Sequence, residues 1–251
     1  MRVAARPTER FFYGWVIVLV GAVLTFLGTG FYSYSRGVFL PSLAEELAGG
    51  SRFEIAMGFS IAAVTSALVA PFIGGILDKY SPKTVILVGI GFVTGSYLLL
   101  SFCQNLIQFY LIVGLGMGLG MTCMGNLAWH RTIISWFDHW RGRAISLGVL
   151  GASLAGVVMP PLVTSLVEAI GWRSAFVVFA IIVPSILIPL VVYFLKNRPE
   201  EIGEVRDGLA YSEAHKTTEV EDQAESRIWH WKEMIRFPAF WSIGLMFGAM
   251  G

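Results

Sequence analysis

GLGMGLGMTCMGNLAWHRTIISWFDHWRGRAISLGVLGASLAG, residues 114–156, is a glycine-laced apolar run, a short basic exit and a second apolar run. Gly114 with Gly118, and Gly116 with Gly120, form two interleaved small-xxx-small pairs. Such pairs let a neighbouring backbone approach closely where packing, rather than hydrophobic exclusion, drives helix association. Thr122, Asn126 and His130 follow at a four-residue spacing, which puts them on one face of a continuous helix. Lipid offers no hydrogen-bond partner, so a polar face at membrane depth must meet protein or a water-filled cavity. The stretch reads as two membrane-crossing helices joined by a positive turn.

The composition of the whole chain agrees. Its 251 residues are 55% hydrophobic and 14% charged, with a mean hydropathy of +0.68, more apolar and less charged than a soluble domain. A net charge of +1 gives no electrostatic footprint for nucleic acid or for an acidic partner. Cys103 and Cys123 lie in apolar segments without metal or redox spacing and read as packing residues. His130, His139, His215 and His230 have no metal-like spacing with acids or cysteines. The glycine-rich strings match no phosphate-binding pattern, and neither HExxH nor GxSxG occurs. No cofactor, metal or enzymatic activity is expected.

Six apolar runs are long enough to span a bilayer, at residues 12–35, 55–77, 84–102, 106–129, 144–167 and 175–195. The first, with about 20 apolar residues, reads as a retained helix, not a cleaved signal. Residues 196–237 then carry seven Lys/Arg and ten Asp/Glu, the composition of a solvated linker. The linker ends in IWHWKEMIRF, an amphipathic segment suited to a membrane surface. From Pro238 a new apolar run starts, but the residues up to Gly251 reach only ~20 Å at 1.5 Å per residue. The expected organisation is therefore an all-α, polytopic membrane helix bundle over 1–195, a linker over 196–237 and the start of a seventh helix over 238–251. Such a chain is expected to be a fragment or a truncated reading frame, and the function expected below is that of the intact parent.

Orientation follows from the positive charges between spans. Arg2, Arg6, Arg10, Lys79, Lys83, Arg131, Arg141 and Arg143 fall on one side, against Arg52 and Arg173 on the other. The richer side, with the N-terminus and the linker, is expected to be cytoplasmic. A bacterial-type cytoplasmic (inner) membrane is the expected location.

Between the second and third spans lies GGILDKYSPK, residues 74–83. Gly74, Asp78, Lys79 and Lys83 resemble the cytoplasmic signature loop of the major facilitator superfamily, with Ser81 where that pattern usually has glycine. FFYGWVIV (11–18) and SWFDHWRGRAISLGVLGASLAG (135–156) resemble the monocarboxylate-transporter and oxalate/formate-antiporter branch, and GWRSAF (171–176) resembles the turn often placed before helix 6. The resemblance implies a fold of two six-helix bundles, each an inverted pair of three-helix repeats, with the binding site between the bundles near the midplane. Nearly all of what is present would then be the N-terminal bundle.

Several residues are candidates for substrate contact. Thr25, Thr29, Tyr32 and Arg36 fall on one face of the first helix if it is a regular α-helix. Arg36 can bind substrate or snorkel to the interface. Related carboxylate carriers have a helix-1 lysine where the resemblance places Tyr34. Arg131, beside His130 at the cytoplasmic end of the fourth helix, offers a guanidinium able to grip a carboxylate with two parallel hydrogen bonds, or to anchor at headgroups. Arg141, Gly142 and Arg143, with the Gly74–Lys83 loop, are expected to serve orientation and gating. Thr65, Ser66 and Ser153 read as packing residues. No acidic residue lies deep in a span.

The expected function is secondary transport of a small organic anion, a mono- or dicarboxylate, by alternating access. The expected partners are the lipid bilayer, the anion, and a coupled proton or counter-transported anion. The alternatives are export of uncharged or cationic metabolites or drugs, and a non-transporting membrane sensor or partner protein.

Overall fold

The computed structural model describes residues 12–208, which form helices and turns with no strand among them. Four helices run Gly14–Leu47 (α1), Arg52–Lys79 (α2), Pro82–Ser101 (α3) and Leu106–Trp136 (α4), and a further helical stretch covers Arg141–Phe194. That stretch is broken at Gly171, whose φ of 76° and ψ of 161° lie in a region that only glycine enters without strain. The break separates α5 (141–170) from α6 (172–194), so the five helical stretches long and apolar enough to cross a membrane resolve into six segments. The segments expected at 209–237 and 238–251 lie outside the described residues.

Several ends follow from local chemistry. Ser51 caps α2, accepting from the Glu54 amide at 3.4 Å. Ser81, the departure from the signature pattern, caps α3: its Oγ accepts from the Thr84 amide at 3.3 Å, with Pro82 at the first helical position. Helix α1 runs twelve residues past the expected boundary at 35, through Pro41 to Leu47. The ring of Pro41 crowds the carbonyl of Gly37, an exposed residue with open space around it, so the proline is accommodated there.

The glycines of α4 set its neighbours. A Cβ on Gly114 or Gly118 would run into Ile61 or Ala62 of α2, and one on Gly116 or Gly120 into Ser96 or Val93 of α3. The two interleaved pairs thus serve two different helices. Ser66 adds a hydrogen bond from α2 to the Gly118 carbonyl at 3.0 Å. On the other side, α1 and α5 cross at Ala22 and Gly151, where any Cβ would overlap the Ala22 carbonyl oxygen.

Call the side where α1, α3 and α5 begin the near face, and the opposite side the far face. The far half of the core is aromatic: Phe31 meets Phe179 at 4.1 Å between ring centroids, and Phe39 stacks on Phe176 at 4.4 Å. At the far surface the turn before α6 ties three connections together. Trp172 donates its indole N–H to Glu46 at the end of α1 (2.7 Å), and Arg173 pairs with Glu46 and donates to the Cys103 carbonyl (2.6 Å).

Candidate functional site

The far half of α1 carries the clearest concentration of recognition chemistry among the described residues. At Gly30–Tyr34 the helix opens into a wide π-type turn, and the buried Ser35 hydroxyl donates to the Gly30 carbonyl at 2.9 Å. Such turns insert one extra residue and rotate everything beyond them by about 100°. The regular stripe expected from Thr25 to Arg36 is therefore broken. Thr25 faces α5, donating to the Gly148 carbonyl at 2.8 Å and to Ala22 at 3.0 Å. Thr29 is half-buried. Tyr34 lies over Gly156 of α5, with 41% of its surface exposed.

Arg36 points the other way, toward α2. Its Nε donates to the Tyr32 carbonyl at 3.1 Å and its Nη2 to the Ser33 hydroxyl at 3.3 Å. The guanidinium carbon sits 4.5 Å from the Tyr32 ring centroid and 5.2 Å from that of Phe59, a placement in which ring faces attract the cation. Arg36 has no carboxylate partner among the described residues. It stands at a small open pocket, with about 20 Å³ free for a water-sized molecule, walled by Tyr32, Phe39, Phe59, Tyr97, Phe109 and Phe176. Its walls are apolar and aromatic, with one held cation at the rim.

Helix α4 departs from regularity at Gly125, whose φ of −76° and ψ of −159° are extended. A side chain there would strike the Met121 carbonyl. The break interrupts the register that would align Thr122 with Asn126 and His130. Thr122 donates to the Gly118 carbonyl one turn back at 2.7 Å, and Asn126 is exposed at the start of the next helical segment. His130 Nε2 is buried without a hydrogen-bond partner, as is the indole nitrogen of Trp129, whose ring is wedged between Gly21 of α1 and Gly148 of α5.

Arg131 is placed differently from Arg36. Its Nη1 donates to Asp78 Oδ1 at 2.7 Å, joining the near ends of α2 and α4, with side chains 47% and 66% exposed. The sequence offers Arg131 a substrate carboxylate or a headgroup; in the structure its partner is the Asp78 carboxylate. Lys83 Nζ donates to the Val192 carbonyl at 2.6 Å, near the end of α6. Lys79 is exposed. Arg141 Nη2 reaches Asp138 at 3.4 Å, and Arg143 lies 4.3 Å from the Trp140 ring centroid. Gly74 and Gly142 have open space where a Cβ would stand.

Two contacts were not legible in the sequence. Phe12, Tyr13 and Trp15 of the first motif pack on Trp136 and Phe137 of the second, with centroids 5.3–6.0 Å apart. These motifs hold each other. The pocket's aromatic wall was also missed, because its residues come from five helices and share no local spacing.

Comparison with known proteins agrees with the helical architecture. The Major Facilitator Superfamily pattern matches residues 20–251. The chain is 25% identical over 190 residues to "Uncharacterized MFS-type transporter YcxA" of Bacillus subtilis (strain 168), covering 76% of this chain and 46% of that protein. It is 29% identical over 162 residues to "Fujikurins efflux protein" of Gibberella fujikuroi, covering 64% and 34%. Against human "Monocarboxylate transporter 11" it is 23% identical over 185 residues, covering 71% and 39%. The chain thus spans less than half the length of these three relatives. With six apolar crossing segments, paired small-residue contacts and a family match over most of its length, this multi-pass membrane protein belongs to the Major Facilitator Superfamily.

Proposed function

We propose that the intact protein is a secondary transporter of a small organic anion, working by alternating access, with Arg36 holding the anionic group beside the aromatic wall. One observation carries this reading: Arg36 is held by backbone and hydroxyl oxygens over two rings, with no carboxylate to neutralise it among the described residues. A buried or half-buried cation without a counter-ion is costly in a membrane and points to a ligand that supplies one. The relative named as a monocarboxylate transporter favours the same class of substrate. Thr29, Tyr34, Thr122, Asn126 and His130 are proposed as further contacts, and Thr25 as a support for the wall between α1 and α5.

The near face is proposed to be cytoplasmic, in the cell's cytoplasmic membrane, on the charge asymmetry of the connections. There Gly74, Asp78, Lys79, Lys83, Arg131, Arg141, Gly142 and Arg143 are proposed to meet a second bundle when the cavity closes. The open space at Gly74 and Gly142 suits close approach by that bundle. Residues 196–237 are proposed to connect the bundles, and 238–251 to begin the seventh helix. A coupled proton or a counter-transported anion would drive the cycle. Efflux of a larger, less polar metabolite is the second reading, favoured by the relative named as an efflux protein and by the aromatic wall.

The test is uptake of radiolabelled monocarboxylates by the full-length protein in proteoliposomes. Arg36→Gln is expected to raise the half-saturating concentration for uptake by about 10- to 100-fold, and Arg36→Lys to raise it less. Undiminished uptake by Arg36→Gln would remove Arg36 from the site and with it the anion reading.

A further inference from the structure

The segment leaving α6 crosses the near face and gives polar groups to the helices that start or end there. The Asn197 side chain accepts from the Lys83 amide at the start of α3 (3.1 Å). The Lys196 and Asn197 carbonyls accept from Trp136 Nε1 (3.0 Å) and Ser135 Oγ (2.7 Å) at the end of α4. Glu204 accepts from the Tyr13 amide at 3.1 Å, just before α1. Asp207 accepts from three successive amides before α5: Asp138 (3.0 Å), His139 (2.7 Å) and Trp140 (3.4 Å). Asp207 itself has φ 57° and ψ 7°, a conformation an aspartate tolerates better than most residues.

Carboxylates at helix starts satisfy amides that lack intrahelical partners and oppose the positive end of the helix dipole. The placement is selective. Of the three helix starts on this face, two receive a carboxylate and one an amide oxygen, all within ten residues of Asn197. Asp138, whose own amide Asp207 holds, pairs through its side chain with Arg141. Asp207 therefore reaches Arg141 through one intermediate residue.

We propose that residues 195–207 form a carboxylate clasp in which Glu204 and Asp207 are positioning residues. They fix the starts of α1 and α5 so that both three-helix repeats move as one body and Arg141 keeps its orientation. Rocking of bundles about a site requires each bundle to be stiff. The clasp adds stiffness on a face where the Asp78–Arg131 pair, the Lys83–Val192 hydrogen bond and the packing of Phe12 on Trp136 also join helices. This goes beyond the transport reading and is tested without it.

Amide hydrogen exchange on the full-length protein in nanodiscs, with Asp207→Asn, Asp207→Ala and Glu204→Gln variants, decides the matter. Losing the cap in Asp207→Ala is expected to speed exchange at residues 138–140 by about 5- to 30-fold, leaving Tyr13 and the α3 amides unchanged. Asp207→Asn keeps one acceptor and is expected to fall between, so it reads the same effect should Asp207→Ala not fold. Glu204→Gln is expected to act at Tyr13 and not at 138–140. Unchanged exchange at 138–140 in Asp207→Asn, or equal acceleration across all helices, would overturn the clasp.

Discussion

Arg36, in the far half of α1, and Arg131, near the end of α4, are both arginines of membrane helices, and the sequence offers each as an anion ligand. In the structure they live differently. Arg131 has an acid: Asp78 takes its Nη1 at 2.7 Å, and both side chains are well exposed. Arg36 has ring faces, a carbonyl and a hydroxyl instead. A guanidinium already paired needs a second reason to bind substrate, whereas one held in place but not neutralised fits the proposed role of anion ligand. The position of a counter-charge, more than the residue type, separates a binding group from a structural one.

The comparison can be broken first at its foundation. Arg36 is aimed by the far half of α1, and that half is fixed by the close crossing of α1 on α5. Gly151→Val would push a side chain into the Ala22 carbonyl, at a cost of about 3 kcal/mol. A large fall in thermal stability in detergent is expected, and an unchanged midpoint would mean the helices do not cross at this position. Next in size is Arg36 itself. Loss of one charge-assisted grip is expected to weaken anion binding by about 10- to 100-fold in Arg36→Gln, read as a rise in the half-saturating concentration for uptake.

Smaller effects sharpen the contrast. Thr25→Val removes the hydroxyl that reaches Gly148 across the α1–α5 contact, worth about 1 kcal/mol in a membrane interior. It is expected to lower thermal stability without changing preference among anions, because the hydroxyl is spent on packing. Arg131→Gln breaks an exposed pair and is expected to cost at most about 1 kcal/mol, less at high salt. Exchanging the charges, Asp78→Arg with Arg131→Asp, is expected to restore stability. If Arg131→Gln weakened anion uptake as strongly as Arg36→Gln, the division between the two arginines would fail.

Much of the fold was legible because it rests on length and hydropathy. Six apolar runs, the glycine pairs of α4 and the breaking glycine before α6 are local signals, and each has a counterpart in the structure. The site was less legible because it depends on departures from regular helix. A four-residue spacing predicts a shared face only while the helix has 3.6 residues per turn, and the wide turn at Gly30–Tyr34 and the extended Gly125 both break that count. The partner of Arg131 is 53 residues away in sequence, and those of Asp207 are 67–69 away. The aromatic motifs at 12–15 and 136–137 resembled family signatures, but their mutual packing appears only when α1 and α4 are set side by side.

The most direct measurement compares uptake of a monocarboxylate with uptake of its uncharged primary amide, of nearly the same shape, by wild-type and Arg36→Gln full-length protein. If Arg36 is the anion anchor, the wild type prefers the carboxylate by about 10- to 100-fold, and Arg36→Gln transports the two alike. A carboxylate preference that survives intact in Arg36→Gln would contradict that role and move the search for the anion's partner to another residue.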